Sequence, residues 1–180
     1  LDEFAARSHR MAAAASFEAE MMPVGDFELD ETVRPGTTPE GLAGLAPAFR
    51  DEALAARFPE IDWRITPGNS SPLTDGASAV LIMSEEKANQ LGLRPRARFH
   101  SSVVVGSGPI EMLTGIIPAT HKILDRSGFS IDDFDTVEIN EAFASVPLAW
   151  QREFEIDHER LNPRGGAIAL GHALGSSGTR

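Results

Sequence analysis

The stretch Asp75-Gly76-Ala77-Ser78-Ala79-Val80-Leu81-Ile82-Met83-Ser84-Glu85-Glu86 decides the fold class. Ala77 to Met83 is a continuous run of small and apolar residues bounded by breakers, the pattern of a strand covered on both faces. Ser84 then offers a side-chain oxygen to cap a helix whose first turn carries Glu85 and Glu86, and Gly92 can end that helix. A covered strand running straight into a helix predicts an α/β protein.

Working outward, the same alternation continues. Upstream, Pro67-Gly68-Asn69-Ser70-Ser71-Pro72 is dense in turn formers. Residues 1–22 carry apolar side chains at helical spacing (Leu1, Phe4, Ala5, Ala12, Phe17, Met21) and predict a helix. Between Glu18 and Glu31 stand six acids and no base, which reads as a solvated acidic loop. Arg34-Pro35-Gly36-Thr37-Thr38-Pro39-Glu40 is a turn entering a short helix, with Pro39 suited to its first turn and Leu42, Leu45 and Phe49 on its apolar face. Residues 51–66 read as irregular. Downstream, 96–105 predicts a second strand closed by Gly106-Ser107-Gly108-Pro109. A helix follows over 118–126, stopped by Gly128, then a third strand over 135–139 and a helix over 144–154. Gly165 to His172 is a small-residue strand or loop, and a last helix is expected near Ser176. The strands near 77–83, 97–105 and 135–139 are expected to be largely buried. The sequence stops at Arg180, inside the first turns of that last helix, and reads as a fragment. There is no internal repeat, low-complexity tract or long linker.

Composition narrows the function classes. With 16 Lys and Arg against 27 Asp and Glu, the net charge of −11 argues against non-specific nucleic-acid binding, which needs a basic surface. A local basic site for a phosphorylated small molecule stays compatible with it. The 42% apolar and 24% charged content is that of a globular chain. No cysteine is present, so these residues supply no disulfide, thiolate metal site or cysteine nucleophile. No stretch approaches the ~18 consecutive apolar residues of a membrane span, and the first residues lack the apolar core of a secretion signal. The expectation is a soluble protein of the cytoplasm.

Two places could carry chemistry. His172 lies between Gly171 and Ala173, with Gly175 and Gly178 following, so backbone can approach its ring closely. The plainer reading is a loop histidine with a local hydrogen bond. Asn140-Glu141 follows the apolar strand ending at Ile139, the end at which α/β folds place ligands, and its amide could donate to a carbonyl or a bound water. A cap for the following helix fits Asn140 equally well. Other chemistries lack their residues. Gly106-Ser107-Gly108 begins a dinucleotide fingerprint, but Glu111 takes the third glycine position. There is no G-x-S-x-G elbow, and His158-Glu159 has no second ligand at metal spacing.

Taken together, these segments resemble the thiolase family, the acetyl-CoA acyltransferases. The most specific piece is Asn162-Pro163-Arg164-Gly165-Gly166-Ala167-Ile168-Ala169-Leu170-Gly171-His172-Ala173-Leu174-Gly175-Ser176-Ser177-Gly178. It matches the family signature at every constrained place except Ala173, where the family has proline. Asn140-Glu141-Ala142-Phe143-Ala144 is similar to the family's N-E-A-F element. Leu1-Asp2-Glu3-Phe4-Ala5, Arg34-Pro35-Gly36-Thr37-Thr38, Gly68-Asn69-Ser70-Ser71 and Asp75-Gly76-Ala77 also match, in order, so the resemblance spans essentially the whole chain.

The resemblance implies a thiolase-like fold and a two-step acyl exchange. A reactive cysteine takes the acyl group of a 3-ketoacyl-CoA and free CoA carries it away, with CoA a substrate and no further cofactor. His172 is similar to the histidine that activates the cysteine, and Asn140 resembles the asparagine that fixes an oxyanion-hole water. Phe143 and Met112 match the lining of the acyl and pantetheine channel. Arg34, Ala48, Phe49 and Ser71 match positions that embrace CoA, with Arg34 by the adenine and phosphates and Ser71 by the pantetheine. The family's nucleophilic cysteine lies upstream of Leu1 and its second cysteine downstream of Arg180, so the 180 residues alone are expected to be inactive. A thiolase-like acyl-CoA-binding protein without turnover is the alternative. The implied division is 1–66 as the rear of a CoA-covering loop domain, 67–93 as the last strand and helix of a first core half, and 94–180 as an incomplete second half. A homodimer or tetramer is implied too, and Ala173 is expected to loosen the turn carrying His172.

Overall fold

The computed structural model describes residues 1–180. Seven helices are present: α1 (Asp2–Ala14), α2 (Pro39–Leu42), α3 (Glu52–Arg57), α4 (Glu85–Gln90), α5 (Ile116–Ser127), α6 (Ser145–Phe154) and α7 (Ala167–Leu170). None is long and apolar enough to cross a membrane.

α1 is the centre of the molecule. Asp2 and Glu3 in its first turn suit the positive end of the helix dipole, and its alanines favour the helical state. It buries Phe4, Ala5, Ser8, His9 and Ala12 on one face and packs against α7, α2 and the turn Pro67–Asn69. The helix stops at Ala14, well short of residue 22, with Ala15 extended. The core it helps to form is Phe4, Ala5, Ile139, Ala144, Trp150, Ile156, Leu161 and Ile168. α5 and α6 pack beside each other, and the Trp150 indole N–H donates to Thr120 Oγ1 at 2.8 Å, so the largest buried side chain keeps its polar atom satisfied.

Local signals read from sequence are realised at several helix ends. Ser84 Oγ accepts from Lys87 N at 3.2 Å at the start of α4, and Pro39 stands in the first turn of α2, which Thr38 Oγ1 also caps by accepting from Gly41 N at 3.1 Å, a bond not anticipated from the sequence. Gly128 ends α5 in the left-handed conformation at φ 74°. Three expectations fail. α2 is four residues long, so Leu42, Leu45 and Phe49 do not share one helix. α3 forms where the sequence reads as irregular, because Asp51 Oδ1 accepts from Leu54 N at 2.9 Å. No helix starts at Ser176: the Ser176 and Ser177 amides both turn back to the Ala173 carbonyl, at 2.8 and 3.0 Å.

The expected strands differ most. Only 25 residues are buried, and 77–83 and 97–105 are not among them. Leu81 is 79% exposed and Val104 86%. Neither run makes a β-ladder, because within this chain no neighbouring strand lies beside it. Each Val, Leu or Ile left exposed forgoes about 1.5–3 kcal/mol of burial. The 97–105 run lies along α5 instead: Arg126 donates to Ser102 O and Lys122 to Val104 O, both at 2.9 Å. Two residues of extended chain span about 6.6 Å and one helical turn about 5.4 Å, so the two spacings match.

Residues 135–139 are not largely buried either, Ile139 alone being so, and they are paired only at Val137 and Ile139, by an unusual route. Val137 bridges Leu161 in parallel register, with Val137 N donating to Arg160 O and Asn162 N to Val137 O. One step further the partner is a side chain. Asn162 Oδ1 accepts from Ile139 N at 2.7 Å, and its Nδ2 donates to Ile139 O at 2.8 Å. The amide of Asn162 thus takes the place of a peptide unit and extends the pairing, while its own backbone turns away at φ 46°.

Gly165 follows at φ 78°, where a Cβ would lie 2.6 Å from Ser8 O and 2.8 Å from Ala12 on α1. Gly165→Ala is therefore expected to destabilise the protein by on the order of 2–4 kcal/mol through strain and overlap. Gly36→Ala, with open space around it, should be near neutral. Denaturant midpoints of the two variants check this, and equal midpoints would contradict the packing described.

Candidate active site

The segment Asn69–Thr74 is the seam on which the two candidate loops meet. It is anchored first at Asn69, which is buried: Oδ1 accepts from Thr66 N at 3.0 Å, and Nδ2 donates to Asp2 Oδ1 at 2.8 Å and Arg64 O at 2.9 Å. Asn69 O then accepts from Ala144 N, Ser71 N donates to Ala142 O at 3.1 Å, and Ser70 bridges Phe143 in antiparallel register. On its other side Pro72 O accepts from His172 N at 3.2 Å, Thr74 Oγ1 shares the same N–H at 3.1 Å, and Leu73 bridges His172 in parallel. One short segment therefore holds both the chain after Asn140 and the chain at His172, 32 residues apart.

His172 has a defined partner. Its Nδ1 lies 2.8 Å from Ser177 Oγ, which also donates to Ala173 O at 3.1 Å. A hydroxyl has one proton to give. With that proton on Ala173 O, Ser177 accepts from Nδ1–H, and Nε2 keeps its lone pair. Gly171, at φ 82°, has no room for a Cβ, which would overlap the Thr74 hydroxyl. Ala173 binds the turn through its carbonyl, which receives the amides and hydroxyls of both Ser176 and Ser177. Asn140 is exposed and is not a helix cap, since α6 begins at Ser145 with Ala144 at its N-cap and no side-chain cap.

The residue beside Asn140 is the one the sequence reading missed. Glu141 is fully buried. Its Oε2 accepts from Ser8 Oγ at 2.6 Å and Ile168 N at 3.1 Å, and its Oε1 from Asn162 Nδ2 at 2.8 Å. Burial pushes its pKa up, while the bonds from Ser8, Asn162 and Ile168 and the charge of Arg7 pull the other way. Gly166 belongs to this arrangement, because a Cβ there would overlap the Glu141 carboxylate. Arg7 itself donates to Leu161 O at 3.0 Å and His158 O at 2.8 Å.

Of the remaining candidates, Ser71 and Phe143 belong to the same seam, and the others lie farther out. Phe49 and Phe143 meet edge to face, ring centroids 5.8 Å apart, which joins the 47–49 turn to the Asn140 loop. Ala48 N donates to Ile65 O at 2.8 Å, and beside it Pro47, Phe49, Ile61, Trp63 and Ile65 line an apolar recess of about 190 Å³. Ser71 Oγ reaches Ala142 O at 3.3 Å. Arg34 is exposed, and its backbone N–H donates to His9 Nδ1 at 3.1 Å. Met112 sits apart, at φ 49° in the turn before α5, with its carbonyl bonded to Ser107 Oγ.

Comparison with known proteins adds to this geometry. Residues 1–86 match the thiolase N-terminal domain and residues 93–180 the thiolase C-terminal domain. The 3-ketoacyl-CoA thiolase of Vibrio parahaemolyticus is 47% identical over 99% of this chain and 48% of its own length. That of Photobacterium profundum is 46% identical with the same coverage. Among solved structures, human mitochondrial 3-ketoacyl-CoA thiolase in complex with CoA superposes with a TM-score of 0.88 at 39% identity, over 98% of this chain and 44% of that one. The Bacillus anthracis acetyl-CoA acetyltransferase gives 0.84 at 38% identity, with 98% and 45% covered. The fold is thus thiolase-like, and the chain spans about half the length of the curated relatives it matches.

His9 gives this region a pH dependence. Burial and then the charge of Arg34 lower its pKa, and its Nδ1 must stay unprotonated to accept the Arg34 N–H. In the unfolded chain the ring takes up a proton near ~6.5, before the folded one does, so stability falls as pH drops below that value. His158 is shifted the same way. The denaturant midpoint is expected to fall between pH 7.5 and 5.5, and to fall less in His9→Gln. Parallel lines for the two proteins would rule this contribution out.

Proposed function

The chain belongs to the thiolase family, and from that premise we propose that it supplies the base and oxyanion side of a site for thiolytic cleavage of 3-ketoacyl-CoA. The observation that carries the proposal is the shared seam: Asn69–Thr74 binds the His172 backbone on one side and the chain that follows Asn140 on the other. His172, with Nδ1 turned to Ser177, has Nε2 available to take a proton from a thiol. The exposed amide of Asn140 can hold a water or a thioester oxygen where negative charge develops.

The CoA side of the proposal rests on the surface around Phe49. Arg34 presents a cation suited to phosphates, and Phe49 an aromatic face joined to Phe143. Ala48 and Ser71 are assigned to the same CoA-facing side, and Met112, which lies apart from them in the turn before α5, is assigned to the acyl channel on the family resemblance. That a solved relative is a CoA complex supports this reading. The divisions at 66/67 and 93/94, assembly as a dimer or tetramer, and a cytoplasmic location belong to the same proposal.

The lack of cysteine among all 180 residues favours a second reading for this polypeptide by itself, acyl-CoA binding without turnover. Covalent acyl transfer needs a thiolate that these residues do not contain. Assayed alone, the chain is expected to show no thiolysis of acetoacetyl-CoA. In the complete protein that carries these residues, His172→Ala should abolish most turnover, and Asn140→Ala should lower kcat by about 10²–10³-fold. Turnover by the isolated chain, or an undisturbed His172→Ala enzyme, would refute the roles assigned.

A further inference from the structure

We propose that Glu141 is a positioning residue that sets Asn140 and His172 relative to each other, an inference that rests on the functional reading above. Its carboxylate receives donors from three separate elements: Ser8 on α1, Asn162 in the loop that extends the Ile139 pairing, and Ile168 in the first turn of α7. α7 ends at Leu170, two residues before His172, and Asn140 is the preceding residue in the chain. Fixing this one group therefore fixes the peptide next to one functional side chain and the helix that delivers the other.

The neighbours leave no freedom in what kind of group stands there. Ser8 Oγ already accepts from Gly166 N at 3.1 Å, so its own proton points to Glu141. Asn162 Oδ1 accepts from Ile139 N, so its Nδ2 end is the one that faces Glu141. Ile168 offers a backbone N–H. All three are donors, and only an acceptor at both oxygens satisfies them. Glutamine has the right volume but would set an NH₂ against one of the donors and leave two buried polar groups unmatched. A side chain needed only to fill space would tolerate that exchange; one needed to hold two loops would not.

The test uses the complete protein carrying these residues, with thiolysis of acetoacetyl-CoA as one readout and exchange of the Ile168 amide as the other. In Glu141→Gln, kcat should fall roughly 10²-fold, as expected for a displacement of reacting groups of about 1 Å, while KM for CoA stays within about twofold. Arg34 and Phe49 do not contact Glu141, so a loss of CoA affinity is not expected. The Ile168 amide should exchange faster than in the parent. Should Glu141→Gln not fold, Ser8→Ala removes one of the three donors, and the acceptor of the Gly166 N–H with it, and should lower kcat by several-fold with the same unchanged KM. Parent-like kcat in a folded variant overturns the proposal, as does a fall in kcat that matches the loss of folded protein. Absence of thiolysis from the parent protein would overturn the functional reading instead, and an unchanged Ile168 exchange rate would overturn the positioning role on its own.

Discussion

A buried carboxylate with three donors aimed at it holds the molecule together. Taking the Glu141 charge out of water is costly, and Ser8, Asn162 and Ile168 together offset part of that cost, burial still holding its pKa above the ordinary carboxylate value. The arrangement is consequently all-or-none. Removing α1, the 162 turn or α7 leaves an unmatched acceptor, so each element requires the other two. Hydrophobic contacts among Phe4, Leu161 and Ile168 surround this network and supply the burial, but they tolerate small displacements that hydrogen bonds do not.

Helix ends were legible because their chemistry is local. Ser84, Pro39 and Gly128 act within four residues of themselves, and each stands in the structure where its type and spacing predict. The runs 77–83 and 97–105 were legible as apolar and misleading as buried. A strand is stabilised by its ladder and by the side chains across from it, and neither is encoded in the run itself. Ser176 misled for a different reason: its hydroxyl and amide both fold back on Ala173 O, which forms a turn from residues that could equally have capped a helix. In the site, His172 and Asn140 stood out through their glycines and their place after a strand. Glu141 and His9 did not, because what makes them special is who faces them, and those partners lie 133 and 25 residues away.

Electrostatics set the character of the open side of the site. A chain of net charge −11 repels an anionic ligand at long range, but salt screens that repulsion beyond about 8–10 Å. Closer in, single cations decide. Glu20 pairs with Arg96 and Arg164, and Asp30 with Arg180, whereas Arg34 is exposed and makes no ion pair.

The long reach of α1 has a consequence in time. Arg7 donates to Leu161 O across 154 residues of sequence. At a ribosomal rate of about 5–20 residues per second, roughly 8–30 s separate the synthesis of the helix from that of its acceptor. Throughout that interval Phe4 and Ala5 have no Leu161 or Ile168 to pack against. The part of the core around α1 therefore cannot close before residues 161–168 are made, and it stays open until the glycine-rich turn after Asn162 has emerged. Contacts this distant in sequence slow folding, because loop-closure entropy is lost before they form.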